Sequence, residues 1–364
     1  KDCSTAEINP LFSDSVYIDR LSRIPAVMEM PYNDIIRKFI DMYAGRLRNQ
    51  VSFMLSACNF YMPIFEEALD AYRLPLELRY LPIIESALNP SAVSRAGASG
   101  LWQFMIGTGK IYGLESNSLV DERRDPIKAT WAAARYLKEM YDIYGDWNLV
   151  IAAYNCGPGT INKAIRRANG ETDYWKIYNY LPKETRGYVP AFIAANYVMT
   201  YYCDHNICPM ETNIPASTDT VQVNKNLHFE QIADLCNVPL DQIKSLNPQY
   251  KKQIIPGDNK PYTLRLPIEA ISTFIDRQDT IFAHRADELF RNRKTVAVKE
   301  ISPSTRRATT AVAGKGKPTY YKIKSGDTLS SIAEKYGVRV KDIQRWNGMS
   351  NTKIAAGKRL KIYK

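Results

Sequence analysis

Histidine is nearly absent. The chain has three in 364 residues, and none between Leu81 and Met105, the stretch around which the rest is organised. A nucleophile–histidine triad or a histidine-ligated metal needs an imidazole at the site, so neither chemistry is expected. Cysteine is sparse as well, six residues scattered along the chain, which is not the density of a disulfide-framework domain. Cys203 and Cys208 flank Asp204 and His205, but two thiols and one imidazole on a tight loop match zinc spacing poorly. A local disulfide or two free thiols is expected there, with no metal and no cofactor. No run of about 18 apolar residues occurs, so no transmembrane helix is expected. No basic-then-apolar export segment opens the numbering, so export would use a signal removed before residue 1. Cys3 hints at a lipid anchor, but Lys1-Asp2 stand before it, where a mature lipoprotein would begin on the cysteine. No nucleic-acid reader motif accompanies the net charge of +11; the excess is either solvated charge or attraction to an acidic polymer or surface, and nucleic acid is not an expected partner.

What is present is ordinary in bulk and distinctive in one place. Apolar content of 45% and charged content of 24% are those of a globular protein, and 364 residues suggest two or three domains. The distinctive place is LPIIESALNPSAVSRAGASGLWQFM, residues 81–105. A mostly apolar segment carries one acid, Glu85, beside Ser86. Asn89-Pro90 breaks it, since the residue before proline is pushed out of helical geometry. A small-residue turn from Arg95 to Gly100 then delivers Leu101-Trp102-Gln103. An acid among Ile83, Ile84 and Leu88, near the negative end of its helix, holds its proton more tightly than an exposed one.

Upstream, helical spacing of Ile35, Ile36, Phe39, Ile40 and Tyr43 and a second run from Phe53 to Tyr72 predict helices over residues 1–73. They are expected to pack on the next domain and carry no chemistry. From Leu74 to about Tyr202 the pattern stays helical without one alternating strand run. Asp125-Pro126 and Asp146-Trp147 mark helix starts, Gly157-Pro158-Gly159 a stop, and a last helix follows Pro182. An all-α domain over 74–212 is expected. After Pro209 short β-type runs appear, Val221–Val223 and Tyr262–Leu266, around two helical stretches. Shifting by 100 residues pairs Phe229 with Leu329, Ile232 with Ile332, Ile243 with Ile343, Asn247 with Asn347 and Gly257 with Gly357. This predicts two copies of a strand–helix–helix–strand unit, at 218–268 and 320–364, joined by a helix and a basic linker over 269–319.

The C-terminal copy, with Ser325-Gly326-Asp327-Thr328-Leu329 and closing Trp346-Asn347 and Gly357-Lys358-Arg359-Leu360, resembles a LysM domain. That resemblance implies a shallow groove for N-acetylglucosamine chains of the cell wall, with Gly326, Asp327, Thr328 and Leu329 on one side and Met349 to Ile354 on the other. The first copy has Asn224-Lys225-Asn226-Leu227-His228 in place of the signature and resembles a degenerate LysM unit. The helical domain resembles the soluble-lytic-transglycosylase family, because four separated motifs occur in order: Glu85-Ser86, Gly100-Leu101-Trp102-Gln103 (the family commonly has Met where Trp102 stands), Ala153-Tyr154-Asn155-Cys156-Gly157, and Glu184-Thr185-Arg186-Gly187-Tyr188-Val189. The fold implied is modular α+β, an all-α lysozyme-like catalytic domain followed by small βααβ units. The activity implied is cleavage of murein by Glu85 alone, first as acid and then as base, giving 1,6-anhydro ends. In that family Tyr188 orients the acid, while Ser94, Gln103, Tyr154 and Asn155 hold the sugar and its substituents. A monomer working on peptidoglycan strands in the periplasm or cell envelope is expected, with membrane association left open. Two rivals remain: a water-using muramidase with Asp121, Glu122 or Asp125 as second carboxylate, and a non-catalytic glycan-binding scaffold.

Overall fold

A computed structural model describes residues 8–212, 214–215, 217–291, 296–300, 319–324, 327, 329–336, 338, 340–347, 349 and 354–363. Two compact units divide at residues 301 and 302. In the first, helices α1 (Asp14–Ser22), α2 (Asp34–Ala44), α3 (Arg48–Ala71), α4 (Leu81–Ser86), α5 (Ile106–Ile111), α6 (Pro126–Tyr144), α7 (Trp147–Cys156), α8 (Pro158–Arg167), α9 (Tyr174–Ile177) and α10 (Lys183–Tyr201) build the helical domain. Side-chain caps set several starts. Asn33 accepts from the Ile35 and Ile36 amides, Asp125 from Ile127 and Lys128, and Asp146 from Leu149. Pro158, expected to belong to a stop, instead opens α8 at its first position, where its missing N–H costs nothing.

One core joins all of this. Ile36 and Ile40 of α2, Phe65 of α3, Trp102, and Phe192 and Ile193 of α10 are completely or almost completely buried in it. The N-terminal helices are therefore part of the same packed body as the motifs. Pro190 lies inside α10 and cannot donate to the Arg186 carbonyl four residues back; the buried Tyr174 hydroxyl donates to that carbonyl instead, at 2.9 Å. The expected local disulfide or pair of free thiols is not what stands there: Cys208 is disulfide-bonded, but Cys203 is not its partner. His205 between them is a core residue, its ring nitrogens 3.0 Å from Asn9 Oδ1 and 3.3 Å from the Tyr197 hydroxyl. Burial drives its pKa down to about 4, which keeps the imidazole neutral.

The first repeat follows in the same unit: β1 (Thr218–Val223), β2 (Asn226–His228), α11 (Phe229–Cys236), α12 (Leu240–Leu246), β3 (Ile254–Pro256) and β4 (Tyr262–Pro267), with β1 antiparallel to β4 and β2 to β3. Helices α13 (Ile268–Asp276) and α14 (Gln278–Ala283) add Phe274 and Ile281 to its core, so the packed body runs past the 268 boundary that the repeat suggested. Leu119 and Val120 of the helical domain insert into that core at 0% exposure. A short bridge pairs Val120 with Tyr250, and Lys251 donates to the Leu119 carbonyl at 2.8 Å.

A short helix, α15 (Ala286–Leu289), follows in the first unit; the second unit, described by itself, holds β5 (Thr319–Lys322), α16 (Leu329–Tyr336), α17 (Val340–Trp346) and β6 (Arg359–Ile362), with β5 antiparallel to β6. The repeat is visible atom by atom. Asn247 donates to the Ile243 and Arg265 carbonyls and accepts from the Arg265 amide; Asn347 does the same with Ile343 and Lys361. The constant shift fails at the closing strand, where Arg265 answers to Lys361, four residues short of it. The Gly257–Gly357 pairing fails with it: a side chain at Gly257 would collide with the Lys225 backbone, whereas Gly357 is required by its φ of +90°. Asn247→Ala is expected to lower the stability of the first unit by about 3 kcal/mol, since it strands buried backbone groups at both ends; a urea midpoint indistinguishable from the parent's would contradict this.

Candidate active site

Helix α4 is only six residues long, and its end is held in an uncommon backbone. Ala87 and Leu88, neither a glycine, both take left-handed conformations (φ 51° and 59°). The helix therefore stops at Ser86, three residues before the proline break the sequence suggests. Ser86 Oγ donates within 3.0 Å to the carbonyls of both Pro82 and Leu101, tying the acid's helix to the turn behind it. Glu85 is thereby fixed on a cleft of about 390 Å³, lined also by Ser94 and Gln103.

The turn that carries those two residues is clamped from below. Gly100 has a φ of +87°, and a Cβ there would lie 1.8 Å from the Arg123 carbonyl, so no other residue fits. Arg123 is buried and donates from Nη1 to the Gly97 and Phe104 carbonyls at 2.8 and 2.9 Å. Its other nitrogens form a two-pronged pair with Asp121 at 2.8 and 2.7 Å. Trp102, where the family commonly has methionine, is fully buried; its indole donates to Thr130 at 2.8 Å and its ring packs edge-on against Phe65. The larger side chain points away from the cleft into the core. Gln103 donates to the Gly100 carbonyl at 2.8 Å, and exposed Ser94 accepts from the Ala98 amide at 3.0 Å.

Opposite the acid stands α10. The Tyr188 hydroxyl donates to Glu85 Oε1 in a short hydrogen bond. Burial pushes the Glu85 carboxyl up to about 7, Tyr188's hydrogen bond works against that rise, and the charge of Glu184 adds to it. Burial lifts the Tyr188 phenol well above its ordinary range, so it stays a neutral donor. Tyr154 lies close enough to Glu85 for the acid's charge to act on its phenol, and both it and Asn155 are held by bonds within the protein. The Tyr154 hydroxyl donates to the Trp102 carbonyl at 2.7 Å, and Asn155 accepts from Thr185 at 2.9 Å.

Of the LysM residues, Asp327 accepts from the Lys324 amide at 2.8 Å and the Tyr321 hydroxyl at 2.9 Å, shaping the loop after β5. Leu329, expected on the groove, is 2% exposed and belongs to the unit's core, so its side chain is not available to a glycan. Gly326 and Thr328 lie outside the described residues. The residues missed by sequence reasoning are Tyr43 of α2, Leu47, and Gln50 and Met54 of α3, which form a wall of the cleft. Their apolar periodicity reads as packing alone, and only their neighbours in space show otherwise.

A single half-buried glutamate with a raised proton affinity, oriented by a tyrosine on a helical scaffold and followed by LysM-type units, defines a lytic transglycosylase. Residues 62–177 match the Transglycosylase SLT domain, 217–283 the LysM-like domain of lytic transglycosylase MltD, and 321–362 the LysM domain. The chain is 31% identical over 341 residues to membrane-bound lytic murein transglycosylase D of Escherichia coli strain K12, spanning 92% of this chain and 70% of that protein. It belongs to that family. The soluble lytic murein transglycosylase of the same strain is 33% identical over 124 residues, 32% of this chain and 19% of that protein. The crystal structure of the 70-kDa soluble lytic transglycosylase from Escherichia coli covers 42% of this chain and 26% of its own at 28% identity, with a TM-score of 0.35. The enzyme acts on peptidoglycan, and its fold is modular α+β: a helical, lysozyme-like SLT domain followed by small LysM units.

Proposed function

We propose that Glu85 performs both proton transfers of a murein transglycosylation. Protonated Glu85 gives its proton to the oxygen leaving C1 of N-acetylmuramic acid, and the glycosidic C1–O bond to N-acetylglucosamine breaks. The carboxylate left behind takes the proton of the muramic C6 hydroxyl as its oxygen bonds to C1. The product is a 1,6-anhydro end, no water is consumed, and Glu85 regains its proton. The observation that carries this is the pairing of a carboxyl raised to about 7 with a neutral tyrosine donor in a narrow cleft. Ser94, Gln103, Tyr154 and Asn155 hold the sugar and its substituents, and Tyr188 orients the acid.

The three carboxylates suggested for a hydrolytic route are all engaged elsewhere. Asp121 is paired with buried Arg123, Glu122 accepts from the Glu115 amide and pairs with Lys128, and Asp125 caps α6. The carboxylate close enough to act electrostatically on Glu85 is the exposed Glu184. Glu184→Gln is expected to leave turnover within about threefold and the products anhydro, because a carboxylate that only adds charge near the acid contributes little. Mass spectrometry of digested sacculi that shows reducing muramic ends instead would replace this reading with the hydrolytic one.

The LysM units hold the enzyme on its polymer, with the loop around Asp327 as the C-terminal contact. Domain limits of 1–73, 74–212, 218–268 (with α13 and α14 of the 269–319 segment packed onto it) and 320–364, a monomeric state, and work in the periplasm or cell envelope complete the proposal. No helix among the described residues is long and apolar enough to cross a membrane.

A further inference from the structure

Helices α2 and α3 hold a hydroxyl the mechanism has not used. Tyr43 is 7% exposed and lines the cleft together with Glu85, Ser94 and Gln103. A tyrosine this deep ordinarily has its hydroxyl bonded to the protein. The hydroxyls of Tyr154 and Tyr188, also inside the body, are each bonded, to the Trp102 carbonyl and to Glu85. Among the described residues Tyr43's hydroxyl has no such bond, yet it keeps some contact with solvent. A phenol accessible to solvent on an otherwise covered side chain, in the wall of a cleft, faces whatever fills that cleft. Tyr43 also lies close enough to Tyr188 that the charge of one would act on the other. Exposed Gln50, one helix on, brings a second group able to donate and accept to the same wall.

We propose that Tyr43 is a substrate-binding residue whose hydroxyl donates to an oxygen of the muramic sugar beside the scissile bond, with Gln50 as a second contact on that side. The donor comes from outside the matched SLT residues 62–177; the N-terminal helices supply one wall of the site. Burial lifts the phenol to about 12, so it donates throughout the working range. The partner class follows from the geometry: a neutral donor beside the acid suits an uncharged sugar oxygen, either a ring hydroxyl or the acetamido carbonyl. The proposal rests on the cleft around Glu85 being the murein site.

The test is Tyr43→Phe in the full chain, assayed on a soluble murein glycan of defined length with anhydro-muropeptide release as readout. Loss of one neutral hydrogen bond to substrate is expected to lower kcat/KM about tenfold. The thermal midpoint and the pH profile should stay where they are, because the hydroxyl bonds to nothing in the protein. Gln50→Ala, on an exposed side chain, should raise KM two- to fivefold with kcat kept. A Tyr43→Phe enzyme within twofold of the parent overturns the proposal. So does one whose loss appears as a displaced pH profile, since the hydroxyl would then act through the Tyr188–Glu85 pair. If the parent itself releases no anhydro product, the Glu85 mechanism has failed, a result distinct from either of these.

Discussion

Glu85→Gln is expected to cut anhydro-muropeptide release from sacculi by about four orders of magnitude, at the upper end of what one general acid–base contributes, because the same group serves both proton transfers. Glutamine keeps the shape of the side chain and can still accept from Tyr188, so the loss is chemical. Turbidity clearance that persists unchanged in this variant would remove Glu85 as the acid. The same substitution has a second signature in stability. Glu85 holds its proton up to about pH 7 in the fold, against about 4.5 when unfolded. Between those values the native state binds more protons than the unfolded one, so stability falls as pH rises through that window. The loss amounts to about 3 kcal/mol above pH 7. Glu85→Gln should therefore be more stable than the parent at pH 8, by up to that amount, and nearly equal to it at pH 4. Urea midpoints at the two values measure the difference; a gain that is the same at both would show that the carboxyl is not destabilised by burial.

Tyr188→Phe is expected to reduce kcat by about a hundredfold, through loss of the hydrogen bond that fixes the acid's direction. It also moves the pH profile in a predictable sense. The tyrosine's hydrogen bond favours the charged carboxylate and opposes the upward push of burial. Without it the carboxyl should titrate above 7, and the alkaline limb of kcat/KM should move upward while its height falls. A limb that moves down, or a kcat that holds while KM rises, would assign Tyr188 to substrate contact rather than to the acid.

These two expectations rest on residues that the sequence alone could name. Glu85-Ser86, the turn ending in Gln103, and Tyr188 stand in motifs whose order is specific, and their chemical types suit a single-acid mechanism. The repeat was legible for a related reason: Ile243 and Ile343, or Asn247 and Asn347, answer local demands within a unit of about fifty residues. Its end was not, because a loop of different length before the last strand breaks a constant shift. The helix end at Ser86 was misplaced because proline is a visible stop, whereas two left-handed non-glycine residues leave no mark in sequence.

The sequence by itself determined the reaction class and the division into helical domain and two small repeats, and it singled out Glu85 as the candidate acid, since each is written in local patterns and residue type. Tertiary structure decided what depends on distant segments meeting. It engaged Asp121, Glu122 and Asp125 in structural contacts. It turned Trp102 into the core, and it tied Tyr154 to the Trp102 carbonyl and Asn155 to Thr185. It also brought Tyr43 and Gln50 to face an acid some forty residues further on. Periodicity reports that a side chain is covered, but what covers it depends on how the helices pack, and that is a property of the fold.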